Sequence, residues 1–465
     1  MHDPRRAWLL LLFCASPRYN YQLRMLRPEI TTNFAAAHDV AVATCFTQLL
    51  DTAPLPATAL ATAHLPLQLG GLGLTSAVAT ARPAYWASWA DTLPILHSQA
   101  PPLAATIRHQ LHPQETTASV RAAIHSAEHL RQHGWEPPAW DQLLNREILP
   151  EPHQDFETPA LGRGWQQAAT RVCNRSFRTE LIQAVDPASH AMLESQSGPN
   201  ASRPFTTIPY NQSTTYPSHL FRTLLLRRLR LPLPLSARQC RCRRALDLLG
   251  DHRAACPQAG ILRSRGVALE RVAARICRKA GARVTTNTRV ADLNLAQVTR
   301  QDDRRTEVIA NGLILWGGAK LAIDTTLVPP LTRDGQPRHR AGTYAGAALH
   351  TARRSKERTY PEFLQSRRCR LVVLAFETGG RWSHETTNFI RLLAQSKARQ
   401  APALLQRSVM AALISRWSAM LSHAAMQSFA ASLLDQNLST HSNVDGNTPV
   451  SQLLAETPPP PPGPS

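Results

Sequence analysis

The chain has 465 residues, 43% of them hydrophobic, which is enough for several domains with cores of their own and excludes a small scaffold held by disulfides. Lys and Arg number 52 against 32 Asp and Glu, a net charge of +20 that points to a polyanionic partner, nucleic acid before acidic membrane. Only four of the 52 are lysines, at 279, 320, 356 and 397; the arginine excess suits bidentate phosphate contacts, and a GC-rich genome would produce the same bias.

In chain order, Arg5 and Arg6 precede the apolar run Trp8–Cys14, an arrangement close to that of a secretory signal, but Pro17 fits badly after the only small-residue cleavage site. The run is too short to span a bilayer and nothing downstream reaches eighteen apolar residues, so neither secretion nor a membrane helix is expected. Residues 20–50 read as one or two helices on the spacing of Phe34, Val40, Val42, Phe46 and Leu49. Gly70, Gly71 and Gly73 follow in a turn-rich stretch; without a Gly-Lys-Ser/Thr sequence they predict a tight loop and not a phosphate cradle. Helices resume with the aromatic Tyr85, Trp86 and Trp89 and continue to about 148.

Residues 195–218 are rich in Ser, Thr, Pro and Asn, a linker composition that places a domain boundary there. A short helix over 221–230 comes next, stopped by Pro232 and Pro234, with leucines inward and Arg222, Arg227, Arg228 and Arg230 available to line a phosphate backbone. Residues 1–150 are charge-neutral, whereas 221–280 carry +12, which reads as a docking segment or a solvated charged face. Beyond 260 the pattern turns to α/β: a helix at 265–280, strands near 307–315, 319–328 and 370–377, and helices near 345–357 and 384–434. Pro458–Pro462 open a polyproline end with no core-forming residue, so 437–465 are expected to be disordered.

The eight cysteines show no even framework and suggest a reducing compartment. Cys240, Cys242, His252 and Cys256 offer three thiolates and an imidazole, a ligand set for tetrahedral zinc that would present Arg241, Arg243, Arg244 and Arg253 on a fixed knob. In the α/β region, two apolar strands joined by a glycine turn would bring Asn311 beside Asp324, while Lys356 and Tyr360 share a helical face. Acids that hold a divalent cation, with a lysine near the attacking water, are what phosphodiester cleavage requires.

The order of the Leu-Pro…Gly-Gly-Leu-Gly-Leu stretch, the basic leucine helix, the Cys/Cys/His/Cys knuckle and the Asn311…Asp324…Lys356…Tyr360 core resembles the C-terminal half of non-LTR, LINE-type retrotransposon polyproteins, over about residues 5–435. The resemblance implies a multidomain α and α/β protein: a helical remnant of a reverse-transcriptase thumb at 1–150, a helical segment and linker at 151–220, the basic helix and zinc knuckle at 221–260, and a PD-(D/E)xK-like endonuclease at 261–436. It implies structural Zn²⁺ on the knuckle, Mg²⁺ on Asp324, DNA and element RNA as partners, and a nuclear location after synthesis in the cytoplasm. Where the family carries an aspartate this chain has Asn311, so cleavage is expected to be weak; Glu307, four residues away on the strand, lies about 13 Å off at ~3.3 Å per residue. The rival readings are a non-catalytic nucleic-acid binder or degenerate remnant, and a secreted arginine-rich protein. No Tyr-x-Asp-Asp hairpin is present to serve a polymerase.

Overall fold

The computed structural model describes residues 3–111, 117–150, 164–211, 214–235, 239–257, 261–295 and 298–436. The expected disordered tail lies outside them. Two compact units divide the chain, one formed by residues up to Pro66 with Leu72–Val185, the other by Leu67–Gly71 with the chain from Asp186 onward. Together they make a multidomain α and α/β protein.

The first unit is helical: α1 (Pro4–Leu10), α2 (Asn20–Met25), α3 (Pro28–Leu50), α4 (Ala57–His64), α5 (Ala77–Gln99), α6 (Pro101–Gln110), α7 (Ala118–Gln132), α8 (Trp140–Leu144) and α9 (Trp165–Ala184). The N-terminal apolar run is packed, with Trp8 fully buried and its ring 5.5 Å from Phe46. Helix α5 is the centre. Its Trp86 is fully buried, with the Trp135, Trp140 and Trp165 rings around it at 5.2, 6.4 and 5.7 Å, so large aromatic areas supply this core.

The second unit contains α10 (Pro187–Gln196), α11 (Arg203–Thr206), α12 (Ser218–Arg228), α13 (Asp251–Ala255), α14 (Ile261–Lys279), β1 (Arg283–Arg289), β2 (Arg305–Asn311), β3 (Lys320–Val328), α15 (Ala347–Thr359), α16 (Pro361–Gln365), β4 (Cys369–Glu377), α17 (His384–Ala398) and α18 (Gln406–Leu433). The sheet runs β1-β2-β3-β4, antiparallel except for the parallel β3–β4 pair, whose crossover contains α15 and α16. On one face Ile309, Ala322, Leu371 and Val373 pack with Leu349, Tyr360 and Phe363 from α15 and its continuation. Helix α14 also packs against the sheet, and α18 lies against α14 and α17.

Three expectations change. The described residues of 195–218 are not a linker, because Ala201, Phe205 and Tyr216 are buried and the last two set their rings 6.2 and 5.9 Å from Phe221; aromatic burial overrides the polar composition. The unit boundary falls instead between Val185 and Asp186, and the knuckle belongs to the same unit as the sheet. The single helix expected at 384–434 is two, broken before Pro402, which disfavours helical geometry in the residue ahead of it.

The glycine turn is a close-approach loop, as read from the sequence: Gly70 has φ +93°, and a Cβ there would stand 2.6 Å from the Leu193 carbonyl oxygen. Arg228 Nε donates to the Gly71 carbonyl at 2.8 Å and keeps the loop in place.

Glu377, at the end of β4, is 3% exposed, and burial pushes its carboxyl up to about 7 although Arg381 pulls it down. Unfolded, the same group titrates near 4.5, so its contribution to stability is complete below that value and is lost as pH rises through about 7. We expect Glu377→Gln to stabilise the protein at pH 8 by ~2 kcal/mol relative to wild type and to give no gain at pH 4, measured as urea midpoints. Arg381 stays anchored in that variant, since its Nη2 donates to the Glu194 carbonyl at 2.7 Å.

Candidate functional site

The knuckle is assembled from a turn and a one-turn helix. Cys240 and Cys242 sit in a tight turn closed by the Gln239–Ala245 bridge and by the Cys240 N–H donating to the Arg244 carbonyl at 2.8 Å. His252 lies on α13 and Cys256 caps its end. Asp247 fixes the start of that helix, accepting from the Asp251 and His252 N–H groups at 2.9 and 2.8 Å. The four ligand atoms lie within 4.8 Å of one another, with Cys240 and Cys256 sulfurs 3.8 Å apart and Cys242 Sγ 3.2 Å from His252 Nε2. A tetrahedral metal such as zinc could be held there.

His252 Nδ1 stands 3.1 Å from the Arg333 carbonyl, an acceptor that places the ring proton on Nδ1 and frees Nε2 for a metal. The Cys242 thiol is drawn down to about 7, first by the hydrogen bond at the Arg244 backbone, so its metal-binding thiolate is readily formed. Arg333 and its neighbour Asp334, which pairs with Arg244, lie on the loop leading out of β3. One strand and its continuation therefore connect the knuckle to Asp324.

The arginines expected along the basic helix divide. Helix α12 is enclosed on nearly every side by its own unit, burying Leu220, Phe221, Leu224, Leu225 and Leu226. Arg227 and Arg228, each 3% exposed, are inside with them and cannot reach a phosphate backbone. Arg227 pairs with Asp251 at 2.5 Å, as does Arg230 at 2.8 Å, while Arg228 donates to the Gly71, Leu67 and Gln196 carbonyls. Buried guanidinium groups are worth having only when so partnered, and here they tie loops to the helix. Arg253 is likewise buried and paired with Asp435 at 2.7 Å. Arg241, Arg243 and Arg244 are exposed on the knuckle turn, and Arg222 is half-buried.

At the sheet, the register changes the expected constellation. Val308 pairs with Ile323 and Ala310 with Leu321, so one step along the ladder Glu307 stands opposite Asp324. Asn311 lies at the far end of the strand, where its partner on β1 is Arg283. The expected Asn311–Asp324 pairing is thus wrong. The expected pairing needed β2 to run on to 315 and turn back at Gly317-Gly318, but Gly312 takes φ +84° and ends the strand at Asn311, and the longer connection to β3 sets the ladder four residues away.

Asp324 is 1% exposed, and its Oδ1 accepts from Lys356 Nζ at 2.7 Å. Its other oxygen, Oδ2, is buried with no hydrogen-bond partner. Glu307 Oε2 accepts from the Thr325 N–H and hydroxyl at 2.6 and 2.7 Å, yet burial, and then the Asp324 charge, push its carboxyl up to about 8. A buried and a half-buried carboxyl as cross-strand partners, with one Asp324 oxygen orphaned, have the ligand chemistry to hold a cation, and burial favours a proton on Glu307. The Tyr360 hydroxyl is committed to the Arg305 carbonyl, to which it donates at 2.7 Å, which makes it a strut between the end of α15 and β2, within the electrostatic reach of both acids. Glu270, raised by burial and by Asp324, is a third acid near the pair that sequence reasoning missed. It is the only acidic residue of α14, a signal the sequence did offer.

No protein-family model matches this chain, and no curated protein matches it. No helix among the described residues is long and apolar enough to cross a membrane.

Proposed function

We propose that this chain is a retrotransposon-derived nucleic-acid-binding protein whose α/β unit is a metal-dependent, PD-(D/E)xK-like DNA endonuclease, with zinc on the Cys240/Cys242/His252/Cys256 knuckle. The observation that carries this reading is Glu307 opposite Asp324 with Lys356 Nζ at 2.7 Å: two acids and a lysine at one point of a mixed sheet. Glu307 and Asp324 replace the Asn311–Asp324 pair, so the missing charge at 311 no longer argues for weak cleavage.

Asp324 Oδ2 and the Glu307 carboxylate would hold Mg²⁺, which when bound polarises the scissile phosphate and lowers the pKa of a bound water. Lys356, 28% exposed at its side chain, stands between the buried acid and solvent, where its ammonium can offset charge developing on the phosphorus oxygens. Exposed Arg305, Arg354, Arg358, Arg367 and Arg368 lie on or beside the elements that carry these groups and would contact the DNA backbone, the role first expected of Arg227 and Arg228. DNA and element RNA are the partners this surface suits, in the nucleus after cytoplasmic synthesis.

The experiment is nicking of supercoiled plasmid by the purified chain with Mg²⁺ titrated; no nicking at any metal concentration would leave nucleic-acid binding alone as the activity. Metal binding must expel the proton from Glu307, whose carboxyl lies at about 8 in the folded protein. At subsaturating Mg²⁺ the rate is therefore expected to rise about tenfold per pH unit from roughly pH 6 and to level off above pH 8. A profile flat from pH 6 to 8 would remove Glu307 from the metal site.

A further inference from the structure

The helical unit contains a second cluster of metal-ligating side chains that the nuclease reading does not use. His129 and His133 lie one turn apart at the end of α7, and Cys173 projects from α9; their three ligand atoms are within 4.8 Å of one another. The two imidazoles meet edge to face with centroids 4.6 Å apart, and Phe177, one turn beyond Cys173, sets its ring 5.2 Å from His133. The end of α7 is fixed: Gly134 takes φ +82° and the Trp135 N–H donates back to the Leu130 carbonyl at 3.1 Å, which holds His133 over α9. Cys173 is 1% exposed, within the aromatic core around Trp86 and Trp165.

We propose that His129, His133 and Cys173 form a second metal site, for a borderline-soft divalent cation of which zinc is the type, clipping α7 to α9 independently of the knuckle. Two imidazoles and a thiolate are a zinc ligand set that leaves a fourth position for water. With Zn–N near ~2.0 Å and Zn–S near ~2.3 Å, the two nitrogens and the sulfur of a tetrahedral site sit roughly 3.3–3.5 Å apart, within reach of ring rotation from the observed spacing. Binding breaks the Cys173 S–H bond, forms the sulfur–metal bond and releases the proton to solvent, so the site adds one positive charge net. His133, and then Arg82 on α5, are the charges that act on His129. Cys173 and Phe177 also line a cavity of about 420 Å³ with Thr170 and Asn174, which reaches the site on its cysteine side.

The test loads the full chain with Zn²⁺, with excess Mg²⁺ occupying the carboxylates, and measures bound zinc by elemental analysis after gel filtration. Wild type is expected to retain two equivalents and the His129→Gln/His133→Gln double variant one. Both rings are half-exposed, so that variant keeps the core, which its circular dichroism checks. Cys173→Ala gives the same loss, and in Co²⁺-loaded protein weakens the near-ultraviolet thiolate-to-cobalt band. A stoichiometry unchanged by the double histidine variant, whatever its value, would overturn the proposal.

Discussion

Glu307→Gln and Asp324→Asn should each lower Mg²⁺-dependent plasmid nicking by about a thousandfold, while Asn311→Ala changes it by less than about threefold. The difference follows from the ladder: Glu307 faces Asp324, and Asn311 faces Arg283 on the outer strand. Removing one of two anionic ligands costs roughly 4 kcal/mol of transition-state stabilisation, at about 1.4 kcal/mol per decade of rate. Asn311→Asp places its new charge at the wrong end of β2 and gains nothing. Lys356→Ala should lose less, about a hundredfold, because both anionic metal ligands remain and only the ammonium beside the phosphorus oxygens is lost. The acids lie on the sheet and Lys356 on α15 reaches them from outside, and Glu307→Gln retains an oxygen to accept from Thr325, so thermal melts distinguish lost chemistry from lost fold. Equal activity of Glu307→Gln and wild type would refute the pairing.

Removing the knuckle metal should have the second largest effect, and it should be felt in two places. Cys242→Ser, or chelation, is expected to raise amide hydrogen exchange by tenfold or more in residues 239–257 and also in the loop 329–340. The loop is included because the Arg333 carbonyl holds His252 Nδ1 and Asp334 pairs with Arg244. A structural zinc is worth several kcal/mol to a segment with so little core of its own. Exchange confined to 239–257 would show that the loop is held by the rest of the fold, and no change in either would show that no metal stabilises the knuckle.

The parts of the molecule that announced themselves did so through periodicity or spacing. Strands β2, β3 and β4 read as apolar runs because they are covered, and the Cys/Cys/His/Cys spacing matched a cluster that closes in three dimensions. Strand β1 did not, since Arg283–Arg289 is a polar edge strand with no alternation to detect. The carboxylate pair was missed for a different reason: register depends on where β2 ends and how long the connection is, and a shift of four residues keeps the same face while changing every partner. Arg227 and Arg228 were misread because a leucine-rich helix looks amphipathic in sequence whether its arginines meet solvent or buried carbonyls. The His129/His133/Cys173 cluster joins residues forty positions apart on two helices, a juxtaposition no local pattern contains.

The pairing of Glu307 with Asp324 around a cation is the claim on which the functional reading rests, and a crystal of the full chain soaked in Mn²⁺ tests it most directly. The account requires an anomalous peak within about 2.3 Å of Asp324 Oδ2 and a Glu307 oxygen, roughly the Mn–O distance for carboxylate ligands, with Lys356 beside it. A fully formed sheet with no peak there, or a peak at Asn311 instead, would contradict it.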